Sequence, residues 1–361
     1  MRILEVSTVP LNENGISRFL LRTLSAMNRE NLAMDFACFS PPTPSIAEEI
    51  AALEGRFHLL PPRNRQPWAY FAALTRLLRR EQYDVLHVHG NSATMAVELW
   101  AARLAGTRVR IAHSHNTMCV HTRLNAMLQP LLRAGYTIPM ACSQAAGRWL
   151  FGNHDFVELK NGVDTASLAF SSAARDEIRR EFGLEGSVAI GMVAGFVPAK
   201  NHAFALRAFA HALRIHPHCR LILVGEGPLL ADIRAMATQL GLSDKVLFSG
   251  IRNDVPRLLS ALDAAILPSL HEGLPAAALE YQCAGLPALL SDAITPEAAP
   301  TFLAQRLPLQ EDAWAEAMAH PPSGSREADS RQAIAEMQRA GYSLDAAAES
   351  LRQVYLSARQ P

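Results

Sequence analysis

Apolar and polar positions follow two rhythms along the chain, and the rhythms alternate. Short runs such as ILEVS (3–7), MDFACF (34–39), DVLHVH (84–89) and RVRIAHS (108–114) have the length and apolar character of buried strands. Between them lie longer stretches with apolar residues at helical spacing, SRFLLRTLSAM (17–27), IAEEIAAL (46–53) and ATMAVELWAARLAG (93–106). Strand followed by helix, repeated, predicts crossover units and therefore a parallel sheet. The alternation falters over 155–175, where FVEL runs into the turn KNGVD and the polar SSAARDE. It then resumes as VAIGMVAG, HAFALRAFAHAL, RLILVGEG, LLADIRAMATQLG, KVLFSG, VPRLLSAL, AAILPS, AAALEYQCAG and PALLSD. The expected fold class is α/β: two doubly wound, Rossmann-like parallel-sheet domains, 1–165 and 166–340, joined at the KNGVD turn. PPSGSREADS (321–330) reads as a loop by composition, and LDAAAESLRQVYLSA (344–358) as one last helix.

Composition narrows the class. A chain of 361 residues with 49% hydrophobic content can fill more than one core. Its 34 basic and 34 acidic residues cancel, which argues against nucleic acid as a partner, because binding a phosphate backbone needs a cationic surplus. Residues 1–165 hold 17 basic and 13 acidic side chains (net +4) and the remainder 17 and 21 (net −4), so the first half is the better host for an anion. Only Lys160, Lys200 and Lys245 are lysines among the basic residues, which singles each of them out. The five cysteines form no CxxC pair and suit a reducing, cytoplasmic setting. Glu5 interrupts what a signal peptide would need as an apolar core, and no run of about 18 apolar residues suggests a membrane span.

In open parallel sheets ligands bind beyond the carboxyl ends of the strands, so the residues that follow each apolar run carry the candidate chemistry. In the first half these are Asn14 and Gly15, His87 and His89, and His113 and His115; in the second they are Gly195, Gly225 to Gly227, Gly250, Ser269 and HEGLP (271–275). Two such rims facing each other would form one cleft. Pro275 suits a first helical turn, which leaves the N–H groups of Gly273 and Leu274 open to an anion at the positive end of the helix. Glu280 falls among Ala278, Leu279 and Tyr281, where a carboxylate needs a partner such as vicinal sugar hydroxyls. Glu272 precedes the helix. Lys200 stands where a helix starts, badly placed against the dipole unless an anion is near. The glycines of VGEGP lack the full dinucleotide spacing, which excludes a nicotinamide cofactor. The HxH pairs raise the question of a metal, but no HExxH or Asp-rich partner accompanies them, and the expectation is that no metal binds.

Taken together, the segments NGISRFLLRTL, DVLHVHG, RIAHSHNT, ACSQAAGRWLFG, LKNGVD, FVPAKNH, LILVGEGPLL, LGLSDKVLFSGIRNDVPRLLSALDAAILPS and HEGLPAAALEYQCAGLPALLSD resemble the retaining glycosyltransferases of family 4. The resemblance runs through nearly the whole chain, and Glu272 and Glu280, separated by seven residues, match that family's hallmark. NSATMAVELWAARLAG and LLSDAITPE are similar to the bacterial branch that builds exopolysaccharide and capsule repeat units. The resemblance implies the two-domain GT-B architecture, with a final helix in 341–361 packing back toward the first domain.

It also implies a UDP-sugar or GDP-sugar donor held by the second half, a glycan or lipid-linked acceptor approaching from the first, and no cofactor. Peripheral association of the first domain with a membrane is compatible with it. By analogy Glu280 holds the ribose hydroxyls, Glu272 the sugar hydroxyls, Lys200 the diphosphate, and Gly273 and Leu274 its oxygens. Main-chain groups at Ile251 and Arg252 contact the base, His115 sits beside the reacting sugar, and Gly15 approaches the diphosphate. Retention in the family is thought to proceed by front-face displacement, the leaving diphosphate taking the acceptor proton. Three positions depart from the family pattern: Gly195 replaces the usual Arg before Phe196, Asn14 replaces the first of two glycines, and Ser17 replaces a Glu. Arg18 and Arg123 are candidate substitutes for the missing cation. The alternatives are a catalytically weakened nucleotide-sugar-binding subunit, favoured by Gly195, and a GT-B nucleotide-sugar epimerase.

Overall fold

The protein is described by a computed structural model covering residues 1–358; the last three positions of the segment 341–361 lie outside the described residues. The chain divides into two units, one formed by Met1–Gly162 together with the chain from Leu344 onward, the other by Val163–Ser343.

The first unit is built on a seven-stranded sheet of order β3-β2-β1-β4-β5-β6-β7. Its strands are β1 (Arg2–Ser7), β2 (Ala33–Cys38), β3 (Phe57–Leu59), β4 (Val85–Gly90), β5 (Val109–Ser114), β6 (Ile138–Ala141) and β7 (Val157–Glu158), and every pairing is parallel. β1 lies between β2 and β4, so the chain reverses its direction of travel across the sheet there, and the carboxyl ends of β1 and β4 flank that switch point. The helix Leu344–Ser357 returns to this unit after the second one is complete. Its Ala348, Leu351 and Tyr355 are buried in one cluster with Ile3, Leu20, Leu24, Val85 and Ile111.

The second unit carries a six-stranded sheet of order β10-β9-β8-β11-β12-β13. The strands are β8 (Val188–Val193), β9 (Cys219–Val224), β10 (Val246–Gly250), β11 (Ala264–Leu267), β12 (Ala288–Ser291) and β13 (Ala304–Leu307), again parallel throughout. Its switch point lies between β8 and β11. The helix His202–Ile215 buries Phe204, Leu206 and Phe209, and Phe204 meets Trp314 edge-on at 5.5 Å. The ends of the unit pair with each other, Val163 N–H donating to the Tyr342 carbonyl at 2.9 Å.

Two local expectations need correction. READS is not loop: the helix Arg326–Arg339 begins inside it, capped by Ser325, whose hydroxyl accepts from Ala328 N–H. Composition misled because the segment is polar, yet Glu327 and Asp329 suit the positive end of a helix. Pro275 is the residue before the helix Ala276–Cys283 rather than within its first turn.

Candidate functional site

At the switch point of the second unit, two loops meet. The loop after β8 passes through the turn Pro198–Lys200 to Asn201, which takes a left-handed backbone (φ 57°) and starts the helix His202–Ile215. Asn tolerates that conformation, so the chain can reverse sharply and hold Lys200 beyond the carboxyl end of β8. The loop after β11 carries Ser269 to Pro275. The loops are joined by Leu270 N–H donating to the Ala199 carbonyl at 2.8 Å. Lys200 Nζ and Glu272 Oε1 form an ion pair, and the Ser269 hydroxyl donates to the same oxygen at 2.9 Å. Lys200 and Glu272, read from separate motifs, are thus brought together. Under them His202 stacks on Phe196 with ring centroids 4.1 Å apart. Burial and the Lys200 charge push its imidazole down to about 4, so it adds no second cation at neutral pH.

Gly273 and Leu274 are buried immediately before the helix Ala276–Cys283, at its positive end, and Ala278 N–H donates to the Pro275 carbonyl at 3.2 Å. Glu280 is buried on the second turn of that helix at 8% exposure. Its neighbour Tyr281 anchors the helix to the end of β8, accepting from Val193 N–H at 2.8 Å. The glycines of VGEGP have a packing role. A Cβ on Gly225 would stand 2.3 Å from the Ala194 carbonyl oxygen, and one on Gly227 would stand 2.6 Å from that of Phe196. The β9 loop can therefore press against the Lys200 loop only without side chains there. Ile251 is exposed, whereas the Arg252 guanidinium is committed to Asp254 (2.7 and 2.6 Å) and Glu181 (2.9 Å) and lies over the Phe182 ring.

In the first unit Gly15 opens the helix Gly15–Ala26, with Asn14 as its cap: the Asn14 side-chain oxygen accepts from Ser17 N–H at 3.0 Å. Gly15 is exposed and has open space around it. Arg18, a candidate substitute cation, is engaged by Glu13 and Glu49. Arg123 is exposed on the helix Thr122–Gly135.

The four histidines form one connected group. β4 and β5 are adjacent, with His89 opposite His113. His115 meets His89 (Nε2 to Nδ1, 2.9 Å), and His89 Nε2 meets Glu5 Oε2 at 2.8 Å. His87 Nε2 meets His113 Nδ1 at 3.2 Å, His87 Nδ1 meets the Tyr355 hydroxyl at 2.7 Å, and that hydroxyl donates to Glu5 Oε1 at 2.7 Å. Burial holds His87, His113 and His115 well below the ordinary histidine range, and the neighbouring imidazoles push the same way. Nitrogens of His87, His89 and His113 lie within 4.8 Å of one another, close enough to share a metal ion. Both nitrogens of His87 and of His89 are, however, taken up by hydrogen bonds in this arrangement. Neither Glu5 nor Tyr355 is legible as a site residue in the sequence: Glu5 is a lone carboxylate inside an apolar strand run, and Tyr355 lies 350 residues from it.

The chain matches the family model for Glycosyltransferase Family 4 over residues 13–167 and that for Glycosyl transferases group 1 over residues 174–298. It is 33% identical over 333 residues to EpsF of Bacillus subtilis (strain 168), which carries the name of a glycosyltransferase, covering 88% of this chain and 86% of that one. It is 29% identical over 235 residues, 61% of this chain and 60% of the other, to the Escherichia coli UDP-Gal:alpha-D-GlcNAc-diphosphoundecaprenol alpha-1,3-galactosyltransferase. Among solved structures, HepE of Anabaena in complex with UDP and glucose superposes with a TM-score of 0.82 at 17% identity, over 98% of this chain and 99% of that one. WaaG, a glycosyltransferase involved in lipopolysaccharide biosynthesis, superposes with a TM-score of 0.73 at 16% identity over 98% and 99%. With both family domains, two parallel-sheet units of GT-B architecture and a relative of that identity along most of its length, the chain belongs to the family 4 glycosyltransferases.

Proposed function

We propose that this glycosyltransferase moves a sugar from a nucleotide-diphosphate donor, held by the 163–343 unit, to a glycan or lipid-linked acceptor, with retention, in the assembly of a cell-surface polysaccharide. The observation that carries the reading is the gathering of Lys200, Ser269 and Glu272 at the β8–β11 switch point beside a helix start, with Glu280 buried one turn further on. A cation next to the positive end of a helix suits a diphosphate. Two carboxylates beyond it suit hydroxyl-bearing rings. Lys200 and the helix start would stabilise charge developing on the leaving diphosphate, which is where catalysis by such a site resides. Glu272, paired with Lys200 here, would turn to the sugar hydroxyls, Glu280 to the ribose, and the main chain at Ile251 and Arg252 to the base. The first unit contributes Gly15 and His115. No cofactor or metal ion enters this scheme.

The E. coli relative acts on a UDP-sugar and a lipid-diphosphate-linked sugar, and the HepE structures hold UDP, glucose and UDP-glucose, which supports a uridine nucleotide and a lipid-linked acceptor. Met118, Val120, Leu124, Met127 and Leu131 are exposed on or before the helix Thr122–Gly135, which also bears Arg123 and Arg133, and support peripheral contact of the first unit with a membrane. No helix among the described residues is long and apolar enough to cross one. A second reading, a donor-binding subunit with weakened chemistry, is favoured by Gly195 alone.

The test is a thermal-shift and slow-hydrolysis series with UDP-glucose, UDP-galactose, UDP-N-acetylglucosamine and GDP-mannose. One of them should raise the melting temperature and be hydrolysed. Glu280→Ala should then lose about 10–100-fold in affinity for it, the worth of hydrogen bonds to a charged group, at an unchanged unfolding midpoint. A folded variant with wild-type affinity sinks the assignment; binding without any hydrolysis or transfer favours the subunit reading.

A further inference from the structure

Imidazoles buried side by side in an apolar core need a reason, because each takes two polar nitrogens out of water. The HxH pairs lie on separate runs and show no ligand set in the sequence; the fold supplies one. β4 and β5 are neighbours with His89 opposite His113, and His87, two residues before His89, lies on the same side of β4. His87, His89 and His113 are fully buried, and each offers a nitrogen within 4.8 Å of the other two. His87 Nε2 and His113 Nδ1 are 3.2 Å apart. That separation is close to the edge, about 3.3 Å, of a tetrahedron built on zinc–imidazole bonds of about 2.0–2.1 Å.

The hydrogen bonds that occupy these rings fall into two sets. One joins imidazole to imidazole, His87 to His113 and His89 Nδ1 to His115 Nε2, the latter at 2.9 Å. Each such bond holds a proton between two nitrogens, a place that a metal ion takes by releasing the proton. The other set points away from the neighbouring rings. His89 Nε2 meets Glu5 Oε2 at 2.8 Å, while His87 Nδ1 meets the Tyr355 hydroxyl at 2.7 Å and lies 3.3 Å from the same Glu5 oxygen. A carboxylate or hydroxyl on the far nitrogen is the outer support that orients histidine ligands on a metal, and ligation leaves it intact. His113 has a nitrogen to spare, since its Nε2 is buried without a hydrogen-bond partner. A core held by hydrogen bonds alone would normally satisfy that atom.

We infer that His87, His89 and His113 form a binding site for one transition-metal dication such as zinc, with Glu5 and Tyr355 holding the ligands in place. An all-imidazole set suits zinc, copper or nickel, whereas magnesium and calcium take oxygen ligands. The site belongs to the first unit alone, needs no nucleotide sugar and plays no part in the proposed transfer. Its effect is architectural: the ion ties β4 to β5, and through His87 and Tyr355 to the last helix. His115, partly exposed and bonded to His89, marks the side from which an ion reaches the buried rings.

The test uses the untagged full-length chain, stripped with a chelator and titrated first with zinc against a chromogenic chelator, then with cobalt. One equivalent of zinc should bind. The cobalt form should show the strong visible bands of a four-coordinate ion, and X-ray absorption at the zinc edge should show imidazole nitrogens around the metal. Hydrogen exchange should show β4 and β5 gaining protection on zinc addition while β8 and β11 do not change. Glu5→Gln keeps the shape of the side chain and should weaken zinc binding on the order of 10–100-fold, as loss of an outer partner does. His113→Gln should abolish the cobalt bands. His211→Gln, at an exposed histidine paired with Asp312, should leave them unchanged. A wild-type chain that retains no equivalent of zinc, or that gives only the weak bands of six-coordinate cobalt, overturns the inference. So does binding that is unaltered in both Glu5→Gln and His113→Gln, or lost in His211→Gln. If His113→Gln does not fold, the wild-type spectra and the Glu5→Gln titration decide the matter.

Discussion

At the scale of single residues, Gly195 sets the sharpest question about this enzyme. The family pattern calls for an Arg there, and Arg18, one possible replacement, is held by Glu13 and Glu49. Gly195 is exposed, and a Cβ on it would meet only the Glu226 carbonyl oxygen, at 3.6 Å, an ordinary contact. Nothing in the backbone demands glycine, so the position can accept a side chain without strain. Gly195→Arg should therefore leave stability within about 0.5 kcal/mol. It should raise kcat at saturating donor tenfold or more, since a cation beside a developing diphosphate is worth about a few kcal/mol at low dielectric. Equal or lower initial rates for the variant would show that the clamp is not vacant. Lys200 and Glu272 could be picked out from sequence because each closes a recognisable motif after a strand. Their ion pair could not, because 72 residues separate them and only the β8–β11 pairing brings their loops together.

At the scale of elements, hydrophobic rhythm carried most of the information. A buried parallel strand is a short apolar run, and the helix covering it is an amphipathic one, so the order of β1, β4, β8 and β11 can be read directly. The stretch 326–330 could not, since its helix depends on the Ser325 cap and on tertiary contacts, Ser330 donating to the Cys283 carbonyl at 2.6 Å. Glycine spacing was equally opaque. Gly225 and Gly227 resemble a phosphate loop in sequence, but the space their missing side chains leave is filled by the β8 loop. The Tyr281 hydroxyl ties the helix that bears Glu280 to the end of β8. Tyr281→Phe leaves Val193 N–H without its acceptor and should cost about 1–3 kcal/mol, read as a lower urea midpoint at constant m. An unchanged midpoint would mean that another group seats this helix.

At the scale of the whole molecule, the first unit is assembled from both ends of the chain. Removing the residues after Ser343 strips Leu351 and Tyr355 from the cluster around Ile3 and Val85, and takes from Glu5 and His87 their shared hydroxyl. The loss of two buried apolar side chains alone should cost about 3–6 kcal/mol. Hydrogen exchange on the truncated chain should show β1 and β4 losing protection while β8 and β11 keep theirs. Protection retained in β1 would refute the dependence. The same closure has a temporal side. A ribosome adding about 5–20 residues per second needs roughly 10–50 s to cover the 268 residues between His87 and Tyr355. Throughout that interval Glu5 and the imidazoles wait without their last partner, while the contiguous 163–343 segment emerges entire. The nascent chain thus matures against its reading order, later half first, and a ribosome that stops within the last helix releases a finished second unit tethered to an unfinished first.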